Sequence, residues 1–195
     1  MKSMEEKILK EGKVLPGGIL KVGNFLNQQI DTDFLKEIGG EIARLFAGEE
    51  ITKIMTIESS GIAIAAAAGM EMGIPVIFAK KHKTSNVDGE VLNTKIHSFT
   101  HDSDYDAVIS RDYLKEGDTV LLVDDFLASG NALDGLIDLC ELAGANVAGV
   151  TVAIEKKFQG GGDKLRVRGV RVEPLACVEK MTDSEIVFAD NRVRG

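Results

Sequence analysis

Apolar residues alternate with charged ones at helical spacing from Met4 to Gly12, which predicts a short amphipathic helix there. Pro16-Gly17-Gly18 then breaks the pattern. Residues 19–31 are half polar and predict a strand or irregular segment outside any main sheet. Asp31, Thr32 and Asp33 are N-cap candidates for a helix that carries Phe34, Ile38, Ile42 and Leu45 on one face. From there the chain alternates. Apolar runs at 51–57, 74–79, 107–110, 119–124 and 147–154 read as strands, and 62–72 and 133–143 as helices. Continuous apolar strands separated by helices predict an α/β fold, a mostly parallel twisted sheet flanked by helices. Residues 1–195 form a single domain on this reading, with a small N-terminal hood over about 1–31.

Two stretches fit no regular element. Residues 80–106 are polar and hold His82, His97 and His101 at spacings that suit no metal site, and they read as a flexible loop. Residues 158–163 contain Gly160-Gly161-Gly162 and read as a hinge or turn. A long polar loop inside a compact domain is more often a functional lid than an accident.

Composition narrows the classes. An apolar fraction of 44% with regular glycine punctuation indicates a globular chain. The net charge of −8 argues against a nucleic-acid partner, which wants a basic surface. The longest apolar stretch, 62–70, is too short to cross a bilayer, so no membrane partner is expected. Cys140 and Cys177 read as buried free thiols of a reducing compartment, and residues 1–10 do not resemble a secretory signal, so a cytoplasmic location is expected.

Candidate chemistry concentrates in residues 120–132. Four apolar residues lead into Asp124 and Asp125, and the small residues Ala128, Ser129, Gly130, Asn131 and Ala132 lead into a helix. Carboxylates can accept hydrogen bonds from a cis-diol, and loop amides at a helix start can cradle a phosphate. Parallel sheets bind ligands at the carboxyl ends of their strands, where this segment lies. Two other readings compete. Receiver domains also end a strand in two Asp, but near the start of the domain, and Asp also caps helices. Ser59, Ser60 and Gly61 form a second phosphate-competent turn, or an ordinary N-cap. The cluster Lys80-Lys81-His82-Lys83 suits a pyrophosphate, or is a solvated charge run.

The segment 120–132 resembles the PRPP-binding signature of the type I phosphoribosyltransferases, where PRPP is 5-phosphoribosyl pyrophosphate. It departs at Asn131, where Gly is common, and at Ala132, where a hydroxyl usually meets the phosphate; backbone amides can do that work instead. Residues 15–31, 80–87 and 153–158 are similar to those members of the family that act on xanthine, and only 190–195 matches nothing. The resemblance implies transfer of a phosphoribosyl group from PRPP to xanthine, with Asp124 and Asp125 catalytic and 128–132 holding the 5′-phosphate. It implies Ser59, Ser60, Gly61 and Lys81 on the pyrophosphate side, with Lys80 and Lys83 competing for the role of Lys81. Leu20, Asn27 and Lys156 would contact the base. Mg²⁺ would be held mainly through PRPP rather than by a protein metal site, and a homodimer is expected. A guanine, hypoxanthine or orotate enzyme of the same family remains open, as does a PRPP-binding regulator without catalysis.

Overall fold

In the computed structural model, residues 1–81, 90–98, 103–182 and 185–189 are described. The chain begins with α1 (Lys2–Glu11), whose Met4 and Ile8 are buried. A hairpin of β1 (Lys13–Leu15) and β2 (Ile19–Lys21) follows, paired antiparallel across the Pro-Gly-Gly turn. A π-helical turn, Gly23–Asn27, buries Phe25 and Leu26. Asp31 caps α2 (Thr32–Leu45) as expected, its side chain accepting from Phe34 N at 3.1 Å. This hood-and-helix start is tied down by Lys7, which pairs with Asp31 at 2.5 Å and lies over the rings of Phe25 and Phe34.

The main sheet follows: β3 (Lys53–Ile57), α3 (Gly61–Met72) and β4 (Val76–Ala79). Next come β5 (Val91–Ser98) and β6 (Ser103–Ser110), then β7 (Thr119–Leu127), α4 (Asn131–Ala143) and β8 (Asn146–Lys156). A 3₁₀ turn (Lys157–Gln159), α5 (Gly161–Val167), β9 (Val172–Met181) and β10 (Ile186–Phe188) complete it. Six strands form one sheet in the order β10-β9-β8-β7-β3-β4, parallel except for the edge strand β10.

The apolar runs have a physical reason. Along β7, Leu121 and Val123 face one layer with α2, α3 and the hood, while Val120 and Leu122 face the other with α4. Both faces are covered, so alternation disappears from the strand. The sheet's carboxyl edge, where β7 and β8 end, is left for the site.

Three expectations need correcting. Residues 107–110 do not join the parallel sheet. They belong to β6, which pairs antiparallel with β5 in a separate two-stranded ribbon. That ribbon meets the sheet's edge through reciprocal backbone bonds between Lys80 and Val108. The stretch 80–106 is therefore not loop throughout. Leu92 and Ile96 are buried and Asn93, Lys95 and His97 exposed, a period of two diluted by polar residues. Its remaining residues 82–89 and 99–102, with His82 and His101, lie outside the described ones, as do 190–195. The glycine run is also not a hinge, because Gly161 and Gly162 are buried and begin α5.

Candidate active site

Asp124 and Asp125 lie in the second half of β7, where the strand leaves the sheet's centre. Asp124 points inward and is 7% exposed. Burial, then the charge of Asp125, pushes its pKa well above the ordinary carboxylate range. Its Oδ1 accepts from Asp125 N at 2.9 Å. Asp125 turns the other way: Oδ1 accepts from Phe126 N at 2.9 Å, and Oδ2 from Asn27 Nδ2 at 3.0 Å. A hood residue thus reaches the carboxylate across the molecule.

Immediately beyond, residues 126–133 enclose a small cavity of about 100 Å³. Gly130 takes a φ of +86°, a left-handed conformation that lets the chain turn into α4. The first amides of a helix lack carbonyl partners within it, so this turn offers donors to an anion. Asn131 does not use its side chain here: Nδ2 donates to the His97 carbonyl of β5 at 2.9 Å, fastening the ribbon to the loop. From behind, Gly161 N donates to the Ala128 carbonyl at 3.0 Å.

A larger cavity of about 350 Å³ opens beside the loop, its wall including Lys81, Tyr105, Asp125, Ser129, Asn131 and Gln159. Of the competing lysines among the described residues, Lys81 lines this wall. Lys80 is engaged in the bridge to Val108, and Lys83 lies outside the described residues. The Lys81 backbone amide donates to Glu58 Oε1 at 2.6 Å, and its ammonium lies over the Tyr105 ring at 5.4 Å. Burial, then the charge of Asp124, raises the Tyr105 phenol pKa.

The turn 58–61 lies against the same carboxylate. A Cβ on Gly61 would stand 2.1 Å from Thr56 Oγ1 and 2.9 Å from Asp124 Oδ1, so only glycine fits. Thr56 Oγ1 is itself buried, without a hydrogen-bond partner among the described residues. Ser60 precedes α3 without capping it by its side chain, and Ser59 is exposed. Neither serine borders the larger cavity. At the other end, Lys156 closes β8 and reaches the hood, where Nζ donates to the Gly18 carbonyl at 3.0 Å. It lies over the Phe126 ring at 5.4 Å, and burial lowers its pKa. Leu20, two residues from Gly18, is 5% exposed and packs in the hood core.

The fold therefore brings Asp125, Asn27, Lys81 and the 128–132 loop together, with Gly61 behind Asp124 and Lys156 across from the hood. Sequence reasoning missed Glu58, Tyr105 and Gln159. Only Tyr105 carried a signal, standing at alternate positions with Ala107 and Ile109 of β6.

Comparison with known proteins gives the family. Residues 23–173 match the phosphoribosyl transferase domain. A xanthine phosphoribosyltransferase from Lachnoclostridium phytofermentans is 48% identical over 194 residues, covering 98% of this chain and 100% of that protein. One from Bifidobacterium longum is 50% identical, covering 96% and 99%. Among solved structures, the adenine phosphoribosyltransferase of Giardia lamblia in complex with 9-deazaadenine is similar with a TM-score of 0.78. Its identity is 22%, over 91% of this chain and 98% of that one, and the likeness speaks to fold. The carboxylate pair, the small-residue loop and an end-to-end likeness close to half the residues agree: the chain belongs to the type I phosphoribosyltransferase family.

Proposed function

We propose that this protein transfers the 5-phosphoribosyl group of PRPP to N9 of xanthine, giving XMP and pyrophosphate. The observation that carries the reading is the Asn27–Asp125 hydrogen bond, which joins a hood residue to a carboxylate beside the phosphate-competent loop. The full-length likeness to proteins named for xanthine supports the choice of base.

In this reading the loop 128–132 receives the 5′-phosphate through its amides, and the carboxylates of Asp124 and Asp125 receive the ribose diol. Pyrophosphate leaves toward Lys81 and the turn at Ser59, Ser60 and Gly61. As the bond from C1′ to the pyrophosphate oxygen breaks, positive charge develops on the sugar, and fixed carboxylates nearby stabilise it. The C1′–N9 bond forms as the base is held between hood and sheet, and the proton the base gives up passes to solvent or to the departing pyrophosphate. Asn27 can donate and accept through its amide, and Lys156 offers a cation from the opposite side to a keto oxygen or an anionic purine. The buried side chain of Leu20 backs that pocket.

Mg²⁺ fits this donor set. Asp125 presents carboxylate oxygen, the hard donor that ion prefers, on the wall of the larger cavity. The ion would be held mainly by pyrophosphate and ribose oxygens with Asp125 beside them, and would neutralise charge on the leaving group. A homodimer and a cytoplasmic location belong to the same proposal. Among the described residues no helix is long and apolar enough to cross a membrane.

The test is pyrophosphate release by the purified protein with PRPP, Mg²⁺ and one base at a time: xanthine, guanine, hypoxanthine, adenine or orotate. Xanthine-dependent release is expected. Release with another base alone overturns the roles of Leu20, Asn27 and Lys156 while keeping the reaction. Binding of PRPP without release for any base makes the protein a sensor.

A further inference from the structure

Lys81 occupies an awkward place for an anion-binding cation. Its ammonium is close enough to Asp124 for the two charges to interact, and Asp125 lies on the wall of the same cavity. An ammonium beside carboxylates tends to pair with them, and that pairing would occupy both the diol acceptors and the anion donor. The structure shows another arrangement. The ammonium rests 5.4 Å from the centre of the Tyr105 ring. The Lys81 backbone amide is held by the Glu58 carboxylate at 2.6 Å.

Tyr105 is set there by the ribbon. It pairs with Ile96 across the β5–β6 ladder, and Ile96 is buried against α4. A side chain from Gly135 of α4 would meet Ile96 Cδ1 at 2.4 Å, so the ribbon packs directly on that helix. Asn131 fastens β5 to the phosphate-competent loop at 2.9 Å. The ribbon that carries Tyr105 is thus held by two contacts that do not involve Lys81, and Tyr105 itself packs against the buried cluster containing Ile96, which makes the ring a fixed surface rather than a follower of the lysine. An aromatic face attracts a cation without forming a hydrogen bond, so the ammonium's three donors stay available.

We propose that Tyr105 is a positioning residue for Lys81: its ring holds the ammonium on the cavity wall, apart from Asp124 and Asp125, ready for the pyrophosphate group of PRPP. The inference rests on the reading of Lys81 as the pyrophosphate cation. Tyr105 itself touches neither sugar nor base in this arrangement, and its ring rather than its hydroxyl does the work.

Steady-state kinetics and inhibition by inorganic pyrophosphate test this in wild type, Tyr105→Phe, Tyr105→Leu, Lys81→Met and the Lys81→Met, Tyr105→Leu double variant. Tyr105→Leu is expected to raise the KM for PRPP and the inhibition constant for pyrophosphate roughly three- to tenfold, the worth of one cation–π contact. The KM for the base should stay unchanged. Tyr105→Phe keeps the ring and should behave as wild type. On a Lys81→Met background, Tyr105→Leu should add nothing. Should leucine disturb the ribbon, Tyr105→Met preserves the bulk while removing the face. A wild-type PRPP KM in Tyr105→Leu overturns the inference alone if Lys81→Met is impaired. So does a Tyr105→Phe variant as weak as the leucine. An unimpaired Lys81→Met removes the pyrophosphate reading of Lys81, and the inference with it.

Discussion

Two adjacent carboxylates with opposite surroundings divide the work of the site. Asp125 is oriented by Asn27 and by its neighbour's amide, so it meets ligands in a fixed pose. Asp124 is buried, and burial favours its protonated form. A carboxyl whose pKa is raised on folding adds stability that is full below the unfolded value, near 3.9, and is lost as pH rises through the folded pKa. Asp124→Asn removes this dependence and can still accept from Asp125 N through its amide oxygen. The melting temperature of Asp124→Asn relative to wild type should therefore climb as pH rises from about 4 toward neutrality. Adding Asp125→Asn to it should cut turnover by orders of magnitude, because the carboxylate charge that answers the sugar cation is then gone. Thermal melts across pH beside a turnover assay check both. A stability difference that stays flat with pH would mean the carboxyl titrates normally in the folded protein.

At the scale of elements, the phosphate-competent loop is held by a helix that sequence reading took for a hinge or turn. Three glycines in a row suggest freedom, but two of them are there for lack of space. A Cβ on Gly162 would stand 1.8 Å from Glu155 Oε1 and 2.7 Å from Arg166 Nη1. Glu155 is fully buried and grips Arg166 with both oxygens at 2.8 Å, so neither group can step aside cheaply. Gly162→Ala should cost about 1–3 kcal/mol by overpacking alone. It should also weaken PRPP, because the neighbouring Gly161 supports the Ala128 carbonyl. Urea unfolding with PRPP titration measures both, and an unchanged midpoint would show that the Glu155–Arg166 pair has room to move. The ribbon was hidden for a related reason. The partner of β5 is the next strand in sequence, β6, but polar residues run through both strands, so the period of two in β5 became visible only once β6 lay beside it. By contrast β3, β7 and β8 were legible because burial on both faces leaves an uninterrupted apolar run.

Across the whole molecule, the site exists only because the hood and the sheet meet. Asp124, Asp125 and the loop after them could be read from one short segment, since a strand, two carboxylates and a small-residue turn are contiguous. The pairing of Asn27 with Asp125, 98 residues apart, and of Lys156 with Gly18, 138 apart, has no local signature, and only family resemblance pointed to those residues. Lys156 is the sharper test of that meeting. It crosses from the end of β8 to the hood, packs on Phe126, and bears a charge that burial already disfavours. Lys156→Met keeps much of the apolar stem and its packing but deletes the donor. A hydrogen bond from a charged group is worth roughly 1.5–3 kcal/mol, so the KM for xanthine should rise about tenfold or more while that for PRPP holds. Loss of the tether to Gly18 alone would do something different: the hood would loosen, and hydrogen exchange over residues 13–27 would quicken with both KM values moving together. Kinetics with each substrate varied in turn, beside exchange on the free protein, separates the two. A base KM that rises alone assigns Lys156 to the purine; a faster-exchanging hood with both constants raised reduces it to a strut.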